Sequence, residues 1–469
     1  MRNQTVNSST KIQRQLETEL DGLAPGDRIP SVRDLVTKHG VSPVTVSAAL
    51  SQLSRSGQII TRPGNGSFKA SAPPPVAPTS DLSWQSVTLG ARGRVSEELQ
   101  TLLSPPRAGA IPLGSGYPDE TIQPLAALER AALKASKRPG IWGRAPREGL
   151  EPLRAWFAAQ LGGDTRADDV IIAPGGQAAV SNVLRALVPP GGTVAVESPT
   201  YFGALAALEA AELRAAPVPV DAHGIRTDYL AAVLEGSGAK VIYVQPLFQN
   251  PTGAILSLER RTELLKIAAR HDAFIIEDDY ARDFTLDAPG THPPLYGMEP
   301  GRIVYIRSLS KSAAPSLRVA GVIARGAVFE RLRVVRSVDD LFVSMQIQEI
   351  ALELVTGGAW ARHQKHLRER LTTRRDSALN ALAEHFPEAR VNTVPGGGFG
   401  LWVQIPHSDL EFSRAAAGIG VQIHAGRAWF PAEPTGAFLR LSFAGATESQ
   451  LRSGIEKLGA LWRSEFAKG

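Results

Sequence analysis

Lys311 stands in the stretch RSLSKSAAPSLRVAG, residues 307 to 321, an ammonium set among serines and small apolar residues, with Arg318 seven positions on. A lysine is ordinarily a solvated surface group, so this one acquires meaning only from its company. APGG, residues 173–176, offers glycine N–H groups at the start of a helical pattern, which suits a phosphate. ESPTY ends in an aromatic ring, Tyr201, and QNPTG supplies the amide of Asn250. EDDY supplies Asp278 and Tyr280, and SLSK supplies Ser308 beside Lys311. Singly, each reads as a turn or a cap. Together, a phosphate cradle, a stacking ring, a carboxylate and a lysine are the parts that hold pyridoxal phosphate as a Schiff base.

Those parts need a scaffold. DVIIAPGG, TVAVESPTY, KVIYVQPLF, AFIIEDDY, RIVYIRSLS and RVAGVIAR are short, β-branched and apolar, the pattern of buried strands in a mostly parallel sheet. Amphipathic segments such as AAVSNVLRALV and LERRTELLKIAARH fall between them and predict covering helices. The chemically suggestive residues lie at the ends of these strands, where open α/β sheets bind ligands.

In this order and at these separations the motifs resemble those of the fold-type I pyridoxal phosphate enzymes, the aminotransferase family, over about residues 110–469. The resemblance implies roles residue by residue. Lys311 would form the internal aldimine, Asp278 would pair with the pyridine nitrogen, and Tyr280 with Asn250 would bond the ring oxygen. Tyr201 would stack on the ring face, and Gly175, Gly176, Gln177, Ser308 and Arg318 would hold the phosphate. Lys311, Asp278 and Tyr280 would be the catalytic set. Arg440, in FLRLSFA, would clamp an amino-acid carboxylate bidentately. A lysine beside a cationic cofactor is pushed toward its neutral, nucleophilic form. Two features depart from the family. Trp142, in IWGRAPREGLEPLR, stands where a tyrosine commonly reaches a neighbouring subunit's cofactor. After Tyr201, FGALAALEAAE has no arginine or lysine to grip a second acidic group, which points away from ω-amino acids. His223, His271, Trp402 and Arg427 read as structural residues.

Residues 1–70 follow another pattern. KIQRQLETEL places Ile12, Leu16 and Leu20 on one helical stripe, broken by Asp21-Gly22 and Pro25-Gly26. PSVRDLVTKHG predicts a short helix with Ser31 as N-cap and Gly40 as its stop. VSPVTVSAALSQLSRSG predicts another, with Ser42 as N-cap, Pro43 at the first helical position and Gly57 after the last turn. Val46, Leu50 and Leu53 form its inner face, which leaves Thr45, Ser47 and Gln52 outward. QIITRPGNGSFKA then alternates across Gly64-Asn65-Gly66 as a two-stranded hairpin. A helix-turn-helix with a β wing results. The stretch resembles the winged helix-turn-helix of GntR-type regulators almost without gaps. By that resemblance Arg33, Ser42, Thr45, Gly64, Asn65 and Gly66 would meet DNA. The family usually carries arginine where Pro43 stands, so one contact is missing.

The whole chain thus resembles a MocR-type regulator. It is multidomain: a small, mostly α winged module over residues 1–70, a linker over 71–109, and a large α/β aminotransferase-like effector domain over 110–469. The linker is Pro-rich in SAPPPVAPTS and has a short helical pattern in VSEELQTLL.

Charge separates the two parts. Residues 1–80 hold nine Lys/Arg against five Asp/Glu, a net +4 out of the chain's +5, and the remainder holds 42 against 41. A basic module on a near-neutral body predicts a polyanion partner for the module. The 469 residues contain no cysteine, which excludes a disulfide framework or a thiolate metal site and suits a reducing compartment. No metal site is expected. MRNQTVNSST has no apolar signal region and no apolar run reaches membrane-spanning length, so a soluble, cytoplasmic protein is expected. The function expected is a transcriptional regulator that binds operator DNA as a homodimer through its large domains. It would sense pyridoxal phosphate, alone or with an amino compound forming an external aldimine. The alternative is a working aminotransferase with a DNA-binding appendage, because the catalytic set is complete.

Overall fold

The structure, a computed structural model, describes residues 12–13, 15–62, 64–71, 82–89, 102, 104–287 and 293–467. The chain divides into two compact units, Met1–Arg92 and Gly93–Gly469. Of the linker, residues 72–81, 90–101 and 103 lie outside the described residues, so VSEELQTLL is described only at Leu102, and a short helix is formed by Ser83–Leu89. No described helix is long and apolar enough to cross a membrane.

In the smaller unit a helix ends at Asp21, and Ile12, Leu16 and Leu20 are buried as their spacing requires. They pack with Leu35, Val46, Leu50, Leu53 and Ile59 into one core. Ser31 caps the helix Val32–His39 through a reciprocal pair with Asp34, and Gly40 stops it at φ 63°, a conformation glycine adopts without a Cβ penalty. Ser42 caps the helix Pro43–Arg55, with Pro43 in its first turn. One expectation fails here. Thr45 is not outward but 6% exposed, one turn before buried Ala49, and its hydroxyl lies 2.8 Å from that of Ser42. The first turn therefore uses Thr45 to build its own cap rather than to face outward. Strands β1 (Ile59–Arg62) and β2 (Gly66–Lys69) pair antiparallel, with Arg62 opposite Gly66 and Gly64 at φ 74° in the turn.

The larger unit is built on an eight-stranded sheet. Its strands are β3 (Val170–Ala173), β4 (Thr193–Ser198), β5 (Arg214–Asp221), β6 (Gly224–Ile225), β7 (Val241–Val244), β8 (Phe274–Asp278), β9 (Ile303–Ser308) and β10 (Ala320–Ile323), in the order β3-β10-β9-β8-β7-β4-β5-β6. Successive residues alternate between two cores: Ile172, Ile242, Ile275 and Tyr305 face one, and Ile171, Tyr243, Ile276 and Ile306 the other. Both faces are covered, which is why these strands read as continuous apolar runs. The helices Gly176–Leu187 and Leu258–Arg270 contain the amphipathic segments that predicted them.

The sheet is mostly parallel, with two of its strands reversed. From β9 through β5 the strands run parallel, but β10 is antiparallel to both β3 and β9, and β6 is antiparallel to β5. A second, antiparallel sheet is formed by β11 (Arg390–Val391), β12 (Gly400–Gln404), β13 (His424–Ala425) and β14 (Phe438–Ser442), in the order β11-β12-β14-β13. Its core includes Leu401, Val403, Leu439 and Leu441, packed with residues of the helices Gly358–His385 and Glu448–Leu461.

Candidate functional site

Strand direction decides what meets at one edge of the eight-stranded sheet. The parallel strands deliver Tyr201, Asn250, Asp278 and Lys311 from the carboxyl ends of β4, β7, β8 and β9. β3 runs with them and delivers Gly175. β10 runs the other way, so its first residues lie at that same edge: Ala320 pairs with both Ala173 and Ser308. The reversal brings Arg318 to the start of the helix Gly176–Leu187.

That helix start is a cradle. Gly175, at φ 94°, is its N-cap and no side chain caps it. A Cβ on Gly175 would stand 2.5 Å from the Arg318 guanidinium, and one on Gly176 3.4 Å from the Ser308 Cβ. Unspent helical N–H groups, a hydroxyl and a guanidinium converge where only glycine leaves room. The Gln177 side chain takes a different part. Its carbonyl accepts from the Tyr201 hydroxyl at 3.0 Å and its amide donates to Gly203 O at 2.6 Å, so it orients the ring while its backbone stays with the cradle.

Asp278 is buried, and its Oδ2 accepts from the Tyr243 hydroxyl at 2.6 Å and from Gln245 Nε2 at 2.8 Å. Burial pushes its carboxyl up; the two hydrogen bonds pull it back down. Gln245 Oε1 accepts from the Asn250 N–H at 3.1 Å, and Asn250 Oδ1 accepts from Arg440 Nε at 3.2 Å. A continuous chain of hydrogen bonds thus joins Asp278 to Arg440. The Gln245 N–H donates to buried Glu197, whose carboxyl burial pushes up to about 8. The Tyr280 hydroxyl donates to Phe248 O at 2.7 Å.

Lys311 sits in the return between β9 and β10, which Leu309 closes by donating to Val319 O at 2.9 Å. Its Nζ donates to Gly116 O at 2.6 Å and lies 3.6 Å from the centre of the Tyr117 ring. Loss of water, then the nearby Arg440 and Arg318 charges, lower its pKa to about 7 against the pull of Asp278. Arg440, in β14, is 5% exposed with its guanidinium over Phe399. Among the described residues, none of Lys311, Arg318 and Arg440 is paired with a carboxylate. Arg440 is buried and Lys311 and Arg318 are half-buried, and three basic groups without counter-ions at one pocket make an anion receptor.

The winged module offers most of its candidate residues at the surface. Arg33, Ser42, Gly64, Asn65 and Gly66 are all exposed. Arg62 stacks its guanidinium over Phe68 at 5.1 Å, and Arg28 lies alongside Gly66. The Lys69 amine is turned inward, onto Leu20 O at 2.6 Å. Trp142, in the larger unit, is 79% exposed. Trp402 stacks on Phe438 at 4.9 Å and His271 lies 3.9 Å from Glu235, structural positions as read. Tyr243, Gln245, Glu197 and Tyr117 were not read as site residues. Gln245 and Glu197 flank strand ends already singled out, which was the available signal. Tyr117 reaches Lys311 only through the fold.

Two family patterns match the chain. That of the bacterial regulatory proteins of the gntR family matches residues 9–68, and that of the class I and II aminotransferases matches residues 109–458. The chain belongs to the class I and II aminotransferase family. It joins that domain to a GntR-type helix-turn-helix, the architecture of MocR-type regulators. Similar chains include the uncharacterized HTH-type transcriptional regulator YjiR of Escherichia coli strain K12, 30% identical over 452 residues, 94% of this chain and 95% of that one. Aromatic-amino-acid aminotransferase 1 of Thermococcus litoralis is 29% identical over 412 residues, 84% of this chain and 97% of that one. Among solved structures, LysN of Thermus thermophilus superposes with a TM-score of 0.76 at 27% identity, covering 83% of this chain and all of that one. LysN is an α-aminoadipate aminotransferase, seen with N-(5'-phosphopyridoxyl)-L-leucine.

Proposed function

We propose that this MocR-type chain is a DNA-binding transcriptional regulator whose large unit holds pyridoxal phosphate at Lys311 and reports that occupancy, alone or with an amino compound, to operator DNA. The observation that carries the reading is the convergence of Lys311, Asp278 and the Gly175–Arg318 cradle at one sheet edge. Bound there, pyridoxal phosphate would supply an electrophilic carbonyl and an electron-withdrawing ring.

The chain's own residues have definite tasks toward it. The helical N–H groups, Ser308 and Arg318 bind the phosphate dianion. Asp278, held by Tyr243 and Gln245, keeps a proton on the ring nitrogen, and Tyr201 is fixed by Gln177 to lie against the ring. Lys311, with its pKa near 7, holds a usable fraction of neutral amine at neutral pH. Arg440 receives a carboxylate, with Phe399 beneath both it and the lysine.

In the small unit, Arg33, the exposed start of Pro43–Arg55 and the wing tip face the duplex, and the assembly is a homodimer in a cytoplasmic setting. Two modules on one body gain affinity by effective concentration where half-sites match their reach. A ligand shifts DNA binding only through unequal affinity for two states of the protein. Gel shifts on the gene's own upstream DNA, with apo and cofactor-loaded protein, test this. Different affinities are expected, and changed again by amino compounds. Equal affinities at every half-site spacing would leave the second reading, a DNA-binding aminotransferase, which the completeness of the pocket favours and a turnover assay with an amino-acid panel would establish.

A further inference from the structure

Residues 113–119 run beside Lys311 as a strap fixed at one end to the strand that carries Arg440 and at the other to Ala444, just beyond that strand. The Ser442 N–H donates to Leu113 O at 2.5 Å and the Asp119 N–H to Ala444 O at 3.0 Å. Arg374 bonds Ala444 O at 3.0 Å and pairs with the Asp119 carboxylate. In between, Ser115 lies so close beneath Gly445 that a Cβ there would meet its own at 2.2 Å. The Ser115 hydroxyl then locks the next turn, accepting from the Tyr117 N–H at 3.1 Å and donating to Tyr117 O at 2.9 Å.

The strap lays a carbonyl and a ring against the reacting amine. At 3.6 Å from Lys311 Nζ the Tyr117 ring is already in van der Waals contact, so no atom fits between them. Opposite, the Phe399 ring lies 5.8 Å from Nζ and 5.5 Å from the Arg440 guanidinium carbon, so one aromatic ring underlies both the amine and the clamp. His424 packs on the strap, its ring 2.6 Å from where a Cβ on Gly114 would stand. A compound engaged both at Lys311 and at Arg440 lies beside the Tyr117 ring, and the strap cannot swing away without breaking its anchors.

Resting on the reading that Lys311 carries the cofactor, we propose that Tyr117 is the specificity-determining residue of the pocket and restricts its amino compound to α-amino acids with short side chains. The test uses full-length, cofactor-loaded protein and follows the visible absorption of the lysine-bound cofactor while glycine, alanine, leucine or phenylalanine is titrated in. Wild type responds to the small amino acids. Tyr117→Ala admits phenylalanine, raising its affinity relative to alanine by about tenfold or more. Tyr117→Phe, which keeps the wall, retains the wild-type order. Calorimetry with propionate and 3-phenylpropionate, which carry the carboxylate but cannot react, shows the same size limit without any chemistry. A Tyr117→Ala protein that binds cofactor and ranks the panel as wild type does overturns the assignment. Should that variant fail to fold, Tyr117→Leu is read by the same criterion. Wild-type protein that takes up no cofactor would instead overturn the function proposed above.

Discussion

The two units hold their cations in opposite ways. In the large unit Arg440 is buried and Lys311 and Arg318 are half-buried around one pocket, and among the described residues none of the three has a carboxylate partner. In the small unit Arg33 and the wing tip stand in solvent. A buried cation is already desolvated, so it acts strongly, at short range and with little sensitivity to salt. An exposed one acts through counterion release, weakly per residue and with steep salt dependence. The same charge serves one small ligand in the first case and a long polyanion in the second.

The sharpest way to break this comparison is to remove the buried amine. Lys311→Ala should abolish the visible absorption of bound cofactor completely, and borohydride should no longer fix cofactor to the peptide that holds residue 311. A variant that keeps the absorption without added amine would refute the anchor. The salt response should come next in size. Raising salt from about 50 to 200 mM should weaken DNA binding by roughly 10³- to 10⁵-fold if about 6–10 phosphates are contacted, while cofactor affinity changes little. Parallel gel-shift and absorbance titrations would show it, and equal slopes would erase the distinction between the units.

Single arginines should then rank the same way. Arg318→Ala should cost cofactor binding about 2–5 kcal/mol, as loss of a buried charge partner does. Arg33→Ala should cost DNA binding about 1–3 kcal/mol if it reads a base. Affinities measured for both variants check the order, and the reverse order would show that Arg318 is not in the cradle. The smallest effect is on pH dependence. Below about pH 7 the Lys311 amine is protonated and uptake of pyridoxal phosphate should slow; above it the amine is neutral and the rate should level off. An exposed lysine, with a pKa of about 10.4, would keep gaining to pH 10. Stopped-flow absorbance across pH 6–10 separates the two, and a rate still climbing at pH 9 would mean an ordinary lysine.

Local signals were legible where local physics decides them. Ser31, Ser42 and Gly40 announce their helix ends because capping involves only neighbouring residues. Six strands of the large sheet were visible as apolar runs because both sheet faces are covered. Strand β5 was not, because Pro217 and Pro219 interrupt its pattern; both are exposed on a strand whose far side is paired only at Val220 and Asp221. The reversal of β10 was not legible either, since an apolar run carries no direction. Arg318 had its place by resemblance, and the reversed strand is the physical reason it can occupy it. Thr45 shows the opposite failure. Its polarity suggested an outward face, but a hydroxyl can be satisfied by the adjacent cap and then be buried cheaply. Gln245 and Tyr117 act through partners far away in sequence or in a different loop, which no spacing rule reaches.

The closed return from Leu309 to Val319 bears on how such a chain could change over generations. Both its ends are clamped in one sheet edge, by the pairing of Ala320 with Ser308 and by the Leu309–Val319 hydrogen bond. Lengthening a flexible loop is thermodynamically mild, about 0.6 kcal/mol for each doubling. An insertion within 310–317 would therefore leave both strands paired and the unit folded while moving Lys311 out of register with Asp278 and the cradle. Chemistry and fold are separable at this one return: a lineage can lose the first by a single indel and still inherit an intact body on which its DNA-reading modules are carried.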